Sequence, residues 1–351
     1  MTVEIEEALN LEKVIFIDVR TESEYEEDRI LNAINMPLFM NDEHKEVGTI
    51  YKMLGKHEAI QKGFDYVSYK LKDMYLELSK LANEYDNMVV YCARGGMRSG
   101  SITNVISSLG INVYQLEGGY KSYRNFVLDY FKIAMDKKKL ISVHGLTGVG
   151  KTDLLHMLED KGIDILDLEG LAKNSGSIFG FITFDVKSPS QKMFETEIFE
   201  KLYFSKEDLI FVESESKRVG HNSVPNEIYE SMVGDCYHII LEVNLKNRVE
   251  RLCRDYIYSK NEENIDDLKE CINKFRKRLS NKVIDEYLEL LDTKKYEEVV
   301  ERYLIEYYDP LYMHSIEKYE YDEVVSFDDE TKALDKVLDY YNRLLINQKE
   351  N

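Results

Sequence analysis

The chain has 351 residues, 44% of them hydrophobic and 32% charged, with only four Pro, a mixture that excludes a disordered or collagen-like protein and is long enough for two hydrophobic cores. Its 46 Lys and Arg against 66 Asp and Glu leave a net charge of -20, so nucleic acid is repelled by the chain as a whole and held only where basic residues cluster. Cys92, Cys236, Cys253 and Cys271 are too few for a disulfide scaffold and too scattered for a zinc signature, which predicts reduced thiols and no dedicated metal centre.

The first ten residues carry acids and no basic leader before an apolar run, and no stretch is apolar enough to span a bilayer; a cytoplasmic protein without a membrane contact is expected. Val14–Asp18 reads as a buried strand, Tyr69–Tyr85 as an amphipathic helix, and Met88–Tyr91 as a second strand that ends at Cys92. After the loop, Ser101–Leu109 reads as a helix with Gly110 as its C-cap, and 112–116 as a third strand. Strand, helix, strand in that order predicts an α/β domain with a parallel sheet over residues 1–130. Composition changes after Tyr130, and the boundary is placed between Asp129 and Lys139. Leu140–His144 opens a second α/β domain, 139–350, with further strands expected at 164–167, 181–184, 209–213 and 237–242. Beyond Val243 the pattern turns helical, including the tail Glu330–Asn347.

Two loops carry chemistry. Cys92-Ala-Arg94-Gly-Gly-Met-Arg98-Ser99 joins a strand to a helix, so its amides can surround an anion while Arg94 and Arg98 add positive charge, conditions that favour a thiolate and make Cys92 a candidate nucleophile. The spacing from Cys92 to Arg98 fits a cysteine-dependent phosphatase as well as a sulfur or selenium carrier that holds the chalcogen on sulfur. Gly145-Leu-Thr-Gly148-Val-Gly150-Lys151-Thr152 matches the complete P-loop pattern after a strand: its amides and helix N-terminus can cradle phosphates, Lys151 reach the outer one, and Thr152 ligate magnesium. Polyphosphate binding follows, and ATP hydrolysis does not. Asp167 and Glu213 each close a strand and compete for a supporting or magnesium-orienting role. RNA contact has candidate patches at Arg94 and Arg98, Lys137–Lys139, Arg248–Arg254 and Lys274–Arg278, of which the last two read equally well as solvated helix faces. A nucleotide-controlled RNA adaptor and a phosphatase or thiosulfate sulfurtransferase therefore stay open beside a carrier enzyme.

Asp18-Val-Arg20, Ala33-Ile-Asn-Met-Pro37, the Cys92 loop and Leu116-Glu-Gly-Gly119 resemble a rhodanese domain, in which residues such as Asp18 and Arg20 belong to the structural frame. Val47-Gly48-Thr49-Ile-Tyr-Lys52, Gly118-Gly-Tyr-Lys-Ser-Tyr-Arg124, the P-loop, Asp167-Leu-Glu-Gly170, Gly176-Ser177, Ser190-Gln191, Val212-Glu-Ser-Glu-Ser216 and Tyr307-Tyr-Asp-Pro310 resemble the tRNA 2-selenouridine synthases nearly end to end. One departure stands out: Asn174-Ser175 replaces a His-Arg pair of that family. The resemblance implies a tRNA-modifying selenotransferase and geranyltransferase whose substrate is tRNA with 2-thiouridine at the wobble position. Geranyl diphosphate would alkylate the sulfur and selenophosphate would supply the selenium, with transient contact to a selenophosphate-producing enzyme.

Overall fold

Short apolar runs form two parallel five-stranded sheets in the computed structural model, which describes residues 1–174, 188–258 and 265–350. The first compact unit is Met1–Tyr130 with Glu195–Glu197, and the second is Phe131–Phe194 with Ile198–Asn351.

In the first unit the elements run β1 (Thr2–Val3), α1 (Ile5–Leu9), β2 (Val14–Asp18), α2 (Glu22–Glu27), β3 (Ile34–Asn35), α3 (Asn41–Met53), α4 (Lys56–Val67), α5 (Leu71–Leu81), β4 (Asn87–Tyr91), α6 (Met97–Ser108), β5 (Val113–Leu116) and α7 (Gly119–Lys137). The strand order is β1-β5-β4-β2-β3, all parallel. Ile17, Val89 and Val90 are fully buried, because a parallel strand is covered on both faces and reads as a continuous apolar run. β4 is the central strand, and the chain runs outward from its neighbour β2 to β3 on one side and from β4 to β5 on the other. A crevice forms at the carboxyl ends of strands where the order reverses in this way, which puts Cys92 at that edge.

The second unit repeats the arrangement. Its elements are β6 (Lys139–His144), α8 (Lys151–Glu159), β7 (Ile165–Leu166), α9 (Leu168–Ala172), α10 (Gln191–Tyr203), β8 (Leu209–Glu213), β9 (Arg218–Val219), β10 (Asn222–Ser223), α11 (Asn226–Val233), β11 (Tyr237–Glu242), α12 (Leu245–Tyr256), α13 (Ile265–Lys274), α14 (Asn281–Asp292), α15 (Tyr296–Tyr303), α16 (Asp309–Ile316), β12 (Glu323–Ser326) and α17 (Glu330–Glu350). The order β12-β11-β6-β8-β7 is again parallel throughout, with β6 central and followed by the P-loop. Helices α12–α16 close over their own core of Cys253, Cys271, Phe275, Tyr287 and Tyr303. The strand expected at 181–184 and the motif Gly176-Ser177 lie outside the described residues. Among the described residues no helix is long and apolar enough to cross a membrane.

Two differences from the sequence expectation have local causes. Helix α6 starts at Met97 rather than Ser101, since the Gly-Gly pair that suggests loop ends one residue before it. Strand β12 lies between the helical stretches read from the sequence, where no strand is expected: only Val325 of its four residues is buried, so an edge position leaves almost no apolar pattern.

Candidate functional site

The Cys92 loop is shaped by what packs behind it. Gly119 has φ +61, and a side chain there would collide with the Cys92 carbonyl and the Gly95 amide; only glycine lets α7 start this close. The first amides of α7 then take the loop's outward carbonyls, with Tyr120 N–H donating to Cys92 O at 2.8 Å and Lys121 N–H to Ala93 O at 3.0 Å. With those carbonyls turned away, the loop's amides face inward, and Gly96 N–H donates to Cys92 Sγ at 3.3 Å. Ser99 Oγ lies 3.2 Å from the same sulfur, while Gln115 Nε2 donates to Gly95 O at 2.6 Å and to Ser99 Oγ at 3.1 Å. Sequence reading missed Ser99 and Gln115, although Ser99 follows Arg98 directly.

Burial pushes the Cys92 thiol up, but hydrogen bonds from the Ser99 side chain and from the Ser99, Arg94 and Gly96 amides outweigh it and hold the thiol below its usual value. The arginines do less than their proximity in sequence suggests. Arg98 is ion-paired with Glu24 at 2.8 Å, and although burial raises the Glu24 carboxyl, that pair draws it down to about 2. Arg94 contributes its backbone amide and leaves its side chain exposed. Thiolate stabilisation therefore comes from oriented dipoles. Asp18 and Arg20 are buried against each other at 2.7 Å, Arg20 reaches Asp28 at 2.8 Å, and its guanidinium lies 4.2 Å from the Tyr120 ring centre, a frame under the loop rather than part of its chemistry.

Burial drives the other three thiols the opposite way, Cys236 and Cys253 to about 12 and Cys271 to about 11. Raising the pH should consequently reveal one thiolate, by ultraviolet absorbance, before the ordinary thiol range is reached. Its midpoint should rise in Ser99→Ala, and the signal should vanish in Cys92→Ser. A first midpoint at or above the ordinary value in the wild type would contradict the dipole account.

In the second unit Gly145, Gly148 and Gly150 have φ of +149, +79 and +91, and a side chain on Gly145 would lie 2.9 Å from Leu241 O and 2.6 Å from Val149 Cγ2. The loop leads into the N-terminus of α8, where Lys151 Nζ lies 3.4 Å from Gly145 O. The loop, Lys151 and Thr152 line a cleft of about 510 Å³ with Asp167, Glu215, Arg251, Tyr256 and Tyr312. Such a cleft can take two phosphates on backbone amides with an organic group beside them.

The acids divide differently from the sequence expectation. Asp167 caps α9, accepting from Gly170 N–H at 2.7 Å, and lies 3.1 Å from His156 Nε2. Glu213 is fully buried and accepts from Glu169 N–H at 2.6 Å, while its Oε2 has no hydrogen-bond partner. Burial first, then the charges of Asp167, Glu169 and Glu215, push its carboxyl well up. Glu215, missed in the sequence, lines the cleft together with Asp167, whereas Glu213 does not; burial raises the Glu215 carboxyl and the Lys151 charge opposes that. Thr152, Asp167 and Glu215 are the oxygen-bearing side chains of the cleft that could face a magnesium ion arriving with phosphates, while the orphaned oxygen of Glu213 stays buried behind them. No ready-made cluster of three metal ligands exists among the described residues.

In the Arg248–Arg254 stretch two of the three arginines are committed within the fold, and Arg254 stays exposed. Arg248 is buried, forks onto Asp309 at 2.6 and 3.0 Å and donates to Thr147 O at 2.9 Å. One turn on, Arg251 donates to Gly148 O at 3.2 Å and pairs with Glu330 at 2.8 Å. Two arginines of α12 thus brace consecutive carbonyls of the phosphate loop, and the forked geometry makes lysine a poor substitute. A π-helical turn at Leu304–Tyr308 directly precedes Asp309 and sets its phase, which gives Tyr307-Tyr-Asp-Pro310 a structural task. Ser190 caps α10, and Gln191 exchanges two 2.8 Å hydrogen bonds with Ser223. Asn174 packs against Gly220; Ser175 lies outside the described residues.

A family model described as the tRNA 2-selenouridine synthase AAA domain matches residues 138–344, and one for the rhodanese-like domain matches residues 1–126. The tRNA 2-selenouridine synthase of Pseudomonas syringae pv. tomato is 33% identical, covering 88% of this chain and 90% of its own. That of Shewanella frigidimarina is 31% identical over 94% and 96%, and that of Pseudomonas putida 36% identical over 71% and 68%. The N-terminal domain of a Clostridium difficile 630 protein, known from its crystal structure, is 78% identical, covers 36% of this chain and 99% of its own, and has a TM-score of 0.36. With a dipole-activated thiol loop in a rhodanese-like domain and a braced phosphate loop in a domain of this type, the chain belongs to the tRNA 2-selenouridine synthase family.

Proposed function

We propose that the protein exchanges the C2 sulfur of wobble 2-thiouridine in tRNA for selenium, in two steps. Geranyl diphosphate first alkylates the sulfur and releases pyrophosphate; selenium drawn from selenophosphate then displaces the geranylthio group from C2. Alkylation makes the exchange feasible because geranylthiolate departs from C2 far more readily than sulfide. The observation that carries this reading is the pairing, in one chain, of the Cys92 loop with a complete phosphate loop. A soft thiolate among amides suits the chalcogen, and both donors present phosphate to the cleft around Lys151. ATP hydrolysis has no necessary part. Magnesium would neutralise phosphate charge, with Thr152 as its protein ligand and Glu213 and Glu215 behind it.

The pairing of Arg98 with Glu24 speaks against the phosphatase alternative, which needs that guanidinium on the phosphoryl oxygens. Purified protein given 2-thiouridine tRNA, geranyl diphosphate and selenophosphate should yield 2-selenouridine on nucleoside analysis. Absence of both geranylated and selenated nucleosides would sink the reading, and brisk turnover of a phosphoester or thiosulfate would replace it.

A further inference from the structure

The first unit holds a cleft of about 710 Å³ that borders the cysteine loop at Gly95–Arg98 and runs between α3, α4 and α6. Its floor is apolar, with Leu38, Phe39, Ala59 and Ile102 buried. Its rim exposes large apolar side chains: Tyr51 is 51% exposed, Phe64 67% and Met97 53%. A patch of that kind beside a reactive loop marks a binding surface. Two glycines keep it open. Gly48 in α3 and Gly63 in α4 occupy helix interiors, where glycine is a poor choice; a Cβ on Gly63 would meet the Phe39 ring at 3.4 Å, and one on Gly48 would meet nothing within 4 Å. Mostly apolar space is therefore built into the wall beside the Gly95–Arg98 part of the cysteine loop.

We propose that this cleft holds the geranyl chain of the alkylated wobble base while selenium replaces the thioether at the Cys92 loop; the assignment rests on the two-step reading above. The chain hangs on the very sulfur that leaves C2, so any surface that holds it has to adjoin the loop where the exchange occurs, and this cleft does. The exchange balances without an oxidant or reductant. C2 takes a hydroselenide equivalent drawn from selenophosphate, the C2–S bond breaks with its electron pair on geranylthiolate, and the selenium's proton passes to N3. The cleft then discriminates for the long apolar substituent, since each buried methylene favours binding.

The test compares full-length wild type with Gly48→Leu, a change whose Cβ meets nothing within 4 Å and which favours the helix and adds apolar bulk to the cleft. Phe64→Ser, which removes apolar rim, is the second variant. Each is given selenophosphate and tRNA whose 2-thiouridine already carries either a geranyl or a methyl group on sulfur. Wild type should convert the geranylated tRNA about tenfold or more better in kcat/KM, and both variants should lose that preference while converting the methylated tRNA normally. Unchanged preference in both variants, or equal loss on both substrates, overturns the proposal. Equilibrium binding of the two tRNAs separates it from the reading on which it rests. If wild type selenates neither tRNA yet binds the geranylated one more tightly, and Gly48→Leu erases that difference, the two-step reading fails and the cleft stands. Equal binding of both tRNAs, or a wild-type dimer that Phe64→Ser dissociates, would show that something other than a geranyl chain covers this face.

Discussion

Cys92→Ser should abolish selenium transfer, by about a thousandfold or more, while alkylation of 2-thiouridine tRNA by geranyl diphosphate continues. Serine is close to cysteine in size, and the side chain is only 3% exposed, so the fold should persist and circular dichroism should show it. What changes is the atom. The amides of Gly96, Arg94 and Ser99 converge on a sulfur whose ionisation they favour; a hydroxyl stays protonated there at neutral pH and supplies no anionic nucleophile for the exchange. Because alkylation of the base sulfur makes no use of the Cys92 thiolate, the variant should accumulate the geranylated nucleoside instead of returning to 2-thiouridine. Full selenation by Cys92→Ser would refute a part for the thiolate in selenium transfer, and simultaneous loss of both steps with an intact fold would refute the separation of the two steps.

Both loops were legible because strand, loop and helix follow in sequence with glycines where the backbone has to turn. The Cys92 and P-loop positions follow strands β4 and β6, each read from an uninterrupted apolar run. The electrostatics were less legible. Arg98 suggests help for the thiolate by its position, but its partner Glu24 comes from α2, 74 residues earlier in the chain, and no local pattern announces that pairing. Glu213 fits the expected acid at a strand end, yet the strand buries it completely and the chain turns Glu215 into the cleft. Arg248 read as one of several cations on a helix face; only the fold brings Asp309 and the Thr147 carbonyl to it. Local sequence thus announced where the backbone would make a site, and distant residues decided which charges remain available there.

Lys151→Ala should reduce one of the two chemical steps by about a hundredfold to a thousandfold and leave the other near normal. The ammonium lies 3.4 Å from the Gly145 carbonyl at the start of α8, where it can move onto an outer phosphate, and its charge draws on the Glu215 carboxylate of the same cleft. Alanine is a good helix former at this position, so the Arg248 and Arg251 brace should keep the loop in shape. If the loop grips geranyl diphosphate, the variant fails on 2-thiouridine tRNA but still converts tRNA that has been geranylated beforehand. A loop that grips selenophosphate gives the reverse pattern. ATP that competes with either donor would show that the cleft accepts nucleotides, whereas ADP release in step with product would be needed to make hydrolysis part of the reaction. Normal rates for both steps in Lys151→Ala would remove the P-loop from the catalytic machinery altogether, because no other residue of the motif supplies a full positive charge to the phosphate.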